Sequence, residues 1–167
     1  SLQPTSSGKI MMMNDRSETT SHRLVLPADS NHHSTLYAGS LMRFALEASY
    51  ATACRAVGEE ANLLLRRVVS IECRQPVRVG TLVEIRGAVL QVRQAYLVVG
   101  VVGMPLESGG LPWMDGLLGF VQIDEKGIPI PFLTAVAVSE SNLWEPLRER
   151  LGKLSQVRGA TADWLSD

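Results

Sequence analysis

Tyr37-Ala38-Gly39-Ser40-Leu41-Met42-Arg43-Phe44-Ala45-Leu46-Glu47-Ala48-Ser49-Tyr50-Ala51-Thr52-Ala53-Cys54-Arg55-Ala56-Val57, followed by Gly58, is the stretch on which the fold turns. Its length suits a five-turn helix, and Gly58 supplies the C-terminal stop because glycine accepts a left-handed backbone. Ala38, Gly39, Ser40, Ala45, Ala48, Ser49, Ala51, Ala53 and Ala56 are all small. A helix built this way can be approached closely from several sides, which predicts a buried helix with other structure curled around it.

Upstream, His22 to Leu26 reads as a short strand ended by Pro27, and an irregular polar loop, Ala28 to Thr35, leads into the helix. Residues 1–20 have no clear periodicity and read as a flexible or peripheral arm. Downstream, Val69, Ile71 and Cys73 alternate with Ser70, Glu72 and Arg74, and Val83 and Ile85 alternate with Glu84 and Arg86. Both are the period of a strand. Tyr96 to Met104 is apolar at successive positions and predicts a strand covered on both faces, and Leu117 to Ile123 is another such run. Val79-Gly80, Ser108-Gly109-Gly110 and Asp124-Glu125-Lys126-Gly127 carry turn chemistry. Short connections favour antiparallel pairing, with one long strand pair joined at Val79-Gly80. Strand, helix, then about four strands predicts an α+β domain in which one antiparallel sheet wraps a central helix. In the tail, Leu143, Leu147, Leu151 and Leu154 recur at helical spacing, with Asn142 and Glu145 placed like a capping box. The expected organisation is an arm (1–20), a domain (21–132) and a C-terminal helical extension (133–167).

The chain has 167 residues, a formal net charge of -1, 46% hydrophobic and 20% charged residues. That suits one domain with a sizeable core and offers no global attraction to nucleic acid. No apolar run approaches the ~20 residues of a membrane helix. Ser1 to Ile10 lacks the apolar core of a secretory signal, and Cys54 and Cys73 are too few for a disulfide framework. The expectation is a cytoplasmic protein with reduced, packing cysteines and with neither nucleic acid nor membrane as partner.

Leu26-Pro27-Ala28-Asp29-Ser30-Asn31, then Leu36-Tyr37-Ala38-Gly39-Ser40-Leu41-Met42, resembles the hotdog-fold acyl-CoA thioesterases. Gln75-Pro76-Val77-Arg78-Val79-Gly80 resembles their turn between two long strands, and Phe120 to Gly127 their last strand and turn. The similarity covers roughly residues 22–132. It implies the hotdog fold, coenzyme A as substrate handle, and a homodimer or dimer of dimers with sites at the interface. No cofactor beyond the coenzyme A of the substrate is implied. Two departures stand out: Ser34-Thr35 where several members carry Gly-Asp, and Ala38-Gly39 where they carry Gly-Gly.

Thioester hydrolysis needs an attacking water or carboxylate, a base, and donors for the oxyanion. The free N–H groups at the helix start, among Ala38, Gly39 and Ser40, can serve as donors, although small residues there also suit plain packing. Glu47 is the candidate base or nucleophile, since it sits two turns into a helix whose neighbours read as buried; alternatively it pairs with Arg43 one turn earlier. His33, or His32 beside it, can position water or substrate, or simply be exposed. Asn31 and Thr35 can orient water by hydrogen bonds. Arg66, Arg74 and Arg78 can meet the phosphates of coenzyme A, or can be the charges of an exposed strand edge. Asp29, His32 and His33 are too few for a metal site, and none is expected. The competing readings are an acyl-thioester dehydratase or hydratase of the same fold, and a non-catalytic acyl-CoA binding module.

Overall fold

The structure, a computed structural model, describes residues 15–165, with side chains described for 16–156. Its elements are β1 (Glu18–Leu24), α1 (Ala38–Val57), β2 (Leu63–Cys73), β3 (Leu82–Arg93), β4 (Tyr96–Pro105), β5 (Met114–Gln122) and α2 (Glu145–Leu165). The five strands form one antiparallel sheet in the order β1-β3-β4-β5-β2. This is the expected α+β architecture, with a sheet wrapped on a long helix.

Helix α1 begins and ends where the small-residue stretch says it should. Gly58 follows it at φ 103 and donates its N–H to the Cys54 carbonyl. Leu41, Phe44, Ala45, Ala48 and Ala53 are buried against Val83, Ile85, Val89, Leu97, Val99 and Phe120 of the sheet. Gly87 lets the helix come close, because a Cβ there would strike Thr52. The Thr52 hydroxyl in turn lies 2.6 Å from that of Thr19 on β1.

Helix α2 covers the opposite face. Trp144, Leu147 and Leu151 pack on Ala88, Leu90, Val98, Val102 and Leu117. The apolarity of Tyr96 to Met104 on both sides is therefore satisfied within one chain, by α1 on one face and α2 on the other. The helical period of the tail holds, but its apolar stripe is set by Trp144, which is 1% exposed, whereas Leu143 is 45% exposed. The cap is also one residue earlier than expected, since the Ser141 hydroxyl accepts from the Leu143 N–H.

Two further expectations are corrected. Strand β1 starts at Glu18, within the stretch read as an arm, while residues 1–14 of that arm lie outside the described residues. Glu18 is fixed because its Oε1 accepts from the Trp144 indole N–H at 3.0 Å and the Ser139 hydroxyl at 2.5 Å, joining β1 to the α2 layer. Strand β2 does not pair with β3 across Val79-Gly80; it pairs with β5, from Leu63↔Gln122 to Cys73↔Met114. The intervening segment crosses to the other side of the sheet and hydrogen-bonds to the end of β1, with Gly80 N donating to the Val25 carbonyl and Val25 N to that of Thr81. The turn at Val79-Gly80 thus delivers β3 beside β1.

Candidate functional site

The loop before α1 and the segment after β2 are knitted together by backbone bonds. Leu36 N donates to the Val77 carbonyl (2.7 Å) and Val79 N to that of Ser34 (3.0 Å). Between them lies a cleft of about 270 Å³, lined by Asn31, Thr35, Ala38, Cys73, Arg74 and Gln75 among others. Asn31, Thr35 and Ala38 were singled out from sequence, and the fold brings them together. Cys73, read as a packing residue, is instead exposed at the end of β2 and lines this cleft. Gln75 belongs to the segment whose turn chemistry was visible, but only the long-range fold shows that it faces the helix start.

Asn31 organises the loop. Its Oδ1 accepts from the backbone N–H groups of His33 (2.9 Å) and Thr35 (3.2 Å) and from the Thr35 hydroxyl (3.2 Å). Three donors converging on one atom fix the orientation of the amide, and its Nδ2 has no partner among the described residues. Ser34 takes a left-handed turn at φ 60 to close this loop. The helix start is held by Asp29, 8% exposed, whose backbone carbonyl accepts from Tyr37 N (2.8 Å) and whose carboxylate accepts from Leu26 N and Arg43. Leu41 N makes a bond to the Tyr37 carbonyl, so the N–H groups of Ala38, Gly39 and Ser40 precede the intrahelical ladder. Gly39 has a local reason to be glycine: the Tyr37 ring lies where a Cβ would be.

The other candidates stand elsewhere in the protomer. His32 and His33 are exposed, with their rings 3.8 Å apart, on the outside of the loop and not among the residues lining the cleft. Glu47 lies about 13 Å along α1 from Ala38, at 1.5 Å of rise per residue. Its surroundings are not the buried ones expected. It is 43% exposed, its Oε1 accepts from Arg43 at 3.2 Å, and its Oε2 accepts from Arg23 of β1. Arg23 and Arg43 both also lie over the Phe44 ring. Glu47 thus clasps β1 to α1.

The three arginines assigned to phosphates separate. Arg74 borders the cleft, but its guanidinium is tied to Asp115 (2.9 Å), which Arg150 of α2 also binds (2.7 Å). Arg78 borders an adjacent cleft with Leu111 and Trp113. Arg66 lies at the far end of β2, about 25 Å from Arg74 along the strand. Among the described residues no group of three or more His, Cys, Asp or Glu is placed to hold a metal ion. Among the same residues no helix is long and apolar enough to cross a membrane.

Solved structures with this architecture are numerous. The chain is similar to an acyl-CoA hydrolase from Staphylococcus aureus in complex with butyryl coenzyme A, coenzyme A and coenzyme A disulfide (TM-score 0.76, 21% identity, covering 92% of this chain and 97% of that one). An apo-hexameric acyl-CoA thioesterase gives TM-score 0.73 and 25% identity, covering 89% of this chain and 94% of that one. An acyl-CoA hydrolase from Bacillus cereus gives 0.73 and 18%, covering 92% and 94%. No protein-family model and no curated protein matches the chain. The chain has the hotdog fold over nearly its whole length, its C-terminal helical layer included.

Proposed function

We propose that this protein hydrolyses an acyl-coenzyme A thioester to a free acid and coenzyme A. The observation that carries the reading is the cleft at the start of α1, lined both by Ala38 of the first helical turn and by Asn31, whose Nδ2 has no partner among the described residues. Donors of these two kinds, a helix-start N–H and an amide N–H, stabilise the oxyanion that forms when water attacks the thioester carbonyl. The likeness to acyl-CoA hydrolases, one of them bound to coenzyme A, supports the same substrate class. Glu47 does not line this cleft within one protomer, so it is proposed as the base only as supplied by a neighbouring copy, with Thr35 orienting the water. Arg78, which faces no carboxylate among the described residues, is proposed to meet a phosphate of the coenzyme.

A second reading, an acyl-CoA binding module without turnover, is favoured by one observation: among the described residues of one protomer no carboxylate or imidazole lines this cleft. We further infer a homo-oligomer in which a neighbouring copy completes the site. Strand β2 is an edge strand, and Leu64, Leu65 and Val68 on it are 52%, 40% and 43% exposed. An open edge of this kind calls for a partner. Two of the similar structures are hexameric, which agrees with that inference.

The test is thiol release from a panel of acyl-coenzyme A substrates by the full chain and by Asn31→Asp. That variant keeps the acceptor oxygen that holds the loop and removes the Nδ2 donor. Turnover should fall by about 100-fold or more, the scale of losing an oxyanion donor, with the fold intact. Undiminished turnover in Asn31→Asp removes Asn31 from the chemistry. Tight binding of coenzyme A with no thiol release from any substrate replaces hydrolysis by the second reading.

A further inference from the structure

A cavity of about 160 Å³ lies at the C-terminal end of α1. Within one protomer it is about 28 Å along the helix from Ala38, at 1.5 Å of rise per residue. Strand β2 contributes no residue to it. One wall is Val57, the last residue of α1, with Glu59 and Glu60 of the turn that follows. The others are Gln122, the last residue of β5, and Phe132 with Leu133. Backbone bonds fix these walls to one another. Gly58 N donates to the Cys54 carbonyl (2.9 Å) and Ala61 N to that of Gly58 (3.0 Å), which closes the turn carrying the two glutamates. Asn62 fastens that turn to the chain after β5: its Nδ2 donates to the Ile123 carbonyl and its own carbonyl accepts from Ile123 N, both at 3.0 Å. Across the cavity, Ile130 N donates to the Gln122 carbonyl and Phe132 N to that of Gln94, both at 2.9 Å.

The cavity is rich in acceptors. Gln122 is 4% exposed. Its Nε2 is turned to the Pro131 carbonyl (3.5 Å), and its Oε1 is buried with no partner among the described residues. Only the nitrogen end of an amide can face a carbonyl, so Pro131 decides which end is left over. A buried amide oxygen of this kind calls for a donor. Asp29, Glu47, Glu84, Asp115 and Glu145 each face an arginine, whereas Glu59 and Glu60 face no cation among the described residues. The end of α1 adds negative potential, because its last carbonyls lack intrahelical partners. Arg55, the basic residue of the last turn, does not line the cavity. The remaining surface is apolar, and Val57 and Phe132 pack on the core. A bare metal ion would gain nothing from those two side chains, and among the described residues no group of three or more His, Cys, Asp or Glu is placed to hold one. A cation on a short apolar stem suits both halves. At about 30 Å³ for each water in the liquid, the cavity has room for about five non-hydrogen atoms.

We propose that this cavity binds a short primary alkylammonium ion, its N–H groups donating to Gln122 Oε1 and to the carboxylates of Glu59 and Glu60, and its stem lying on Val57 and Phe132. The cavity shares no residue with the cleft at the start of α1, and the inference does not rest on hydrolysis.

The experiment is calorimetric titration of the full chain with n-butylammonium chloride, with sodium chloride holding the ionic strength constant, and a parallel series of thermal melts. Binding should saturate, and the Tm should rise with ligand concentration as mass action requires. 1-Butanol keeps the stem and lacks the charge, while methylammonium keeps the charge and lacks three methylenes; each should bind at least about tenfold more weakly. Gln122→Met puts an apolar side chain of similar length at the orphaned oxygen, so it should fold as the unaltered chain does and lose at least about tenfold in affinity. Glu59→Gln/Glu60→Gln, altered only at exposed positions, should lose as much, and it decides alone if Gln122→Met does not fold. Absence of saturable binding, equal binding of 1-butanol, or undiminished binding by Glu59→Gln/Glu60→Gln overturns the proposal. Because the readout is amine binding, a chain that releases no thiol can still pass the test.

Discussion

Trp144→Ala tests whether the second face of the sheet belongs to the chain itself. Trp144 is 1% exposed and lies among Ala88, Leu90, Val98, Val102 and Leu117. A buried indole removes on the order of 200 Å² from water, which at ~25 cal/mol/Å² gives an upper figure near 5 kcal/mol. Truncations of buried Trp cost about 3–5 kcal/mol. The indole N–H also donates to Glu18, so its loss leaves that carboxylate with only the Ser139 hydroxyl. Trp144→Phe separates the two effects. It keeps most of the apolar contact and should lose about 1.5–3 kcal/mol, the worth of a hydrogen bond to a charged acceptor. The assay is urea unfolding followed by far-ultraviolet circular dichroism, with the expected order unaltered chain, Trp144→Phe, Trp144→Ala. Since whole domains are stable by about 5–15 kcal/mol, the alanine variant should be marginal, and it should bind hydrophobic dye as Val98, Val102 and Leu117 are uncovered. A cost below about 1 kcal/mol for Trp144→Ala, far under the scale for a buried Trp, would refute the docking of α2 on the sheet and return the apolar outer face to a partner subunit.

Glu47→Gln should cost only about 1 kcal/mol of stability, because both of its ion pairs are exposed. If it is the base, turnover should fall by about 100-fold or more; unchanged thiol release from a stably folded variant would leave Glu47 as the clasp between β1 and α1. Tyr96 is held above the ordinary phenol value of about 10 by burial, against the pull of the Arg66 charge. The folded chain therefore keeps that proton longer than the unfolded one, and its contribution to stability, complete below pH ~10, is lost as pH rises through the folded value. Arg66→Ala should move the ionisation of Tyr96 further upward, read as phenolate absorbance in a Tyr37→Phe/Tyr50→Phe background; an unmoved titration would place Arg66 away from the ring. Gly119→Ala should destabilise by about 1–3 kcal/mol in thermal or urea melts, because its methyl group meets the Tyr96 hydroxyl; a neutral result would show that Tyr96 is free to turn away.

The elements most legible in the sequence are those whose signal is local. Helix α1 announces itself by composition and by Gly58, and the structure starts it at Ala38 and ends it at Val57. Period two located β2 and β3, but alternation states only that a strand has two faces and says nothing about its neighbours. The eight residues 74–81 are long enough to carry the chain past an edge, so a turn at Val79-Gly80 was compatible with either a hairpin or a crossing. Strand β1 was hard to bound for a different reason. Glu18, Thr19, Thr20, Ser21 and His22 show no apolar alternation, because this edge strand is held partly by side-chain hydrogen bonds, Thr19 to Thr52 and Glu18 to Trp144. In the tail, leucine spacing suggested the stripe, while the larger payload of Trp144, one residue from Leu143, fixed which face turned inward.

The candidate site divides along the same line between local and long-range information. Asn31, Thr35 and Ala38 lie within eight residues of one another, so a single turn and helix start suffice to bring them together. The proposed site depends most on Asn31, because holding the loop consumes its oxygen and leaves its nitrogen without a partner among the described residues. Cys73 and Gln75 reach the cleft only because β2 runs the length of the sheet and its exit crosses the start of α1, a relation that no spacing expresses. Glu47 shows the converse hazard. Its neighbours on the helix are small and buried, yet a helix turns 100° per residue, and Glu47 faces β1, where Arg23 meets it. A carboxylate between two guanidinium groups is poised to hold two elements together. For it to activate water as well, one of those arginines must release an oxygen when substrate binds or when a second copy docks. Arg23→Gln therefore discriminates: it should free one carboxylate oxygen and raise turnover if Glu47 is the base, and should loosen the β1–α1 contact with turnover unchanged if it is not.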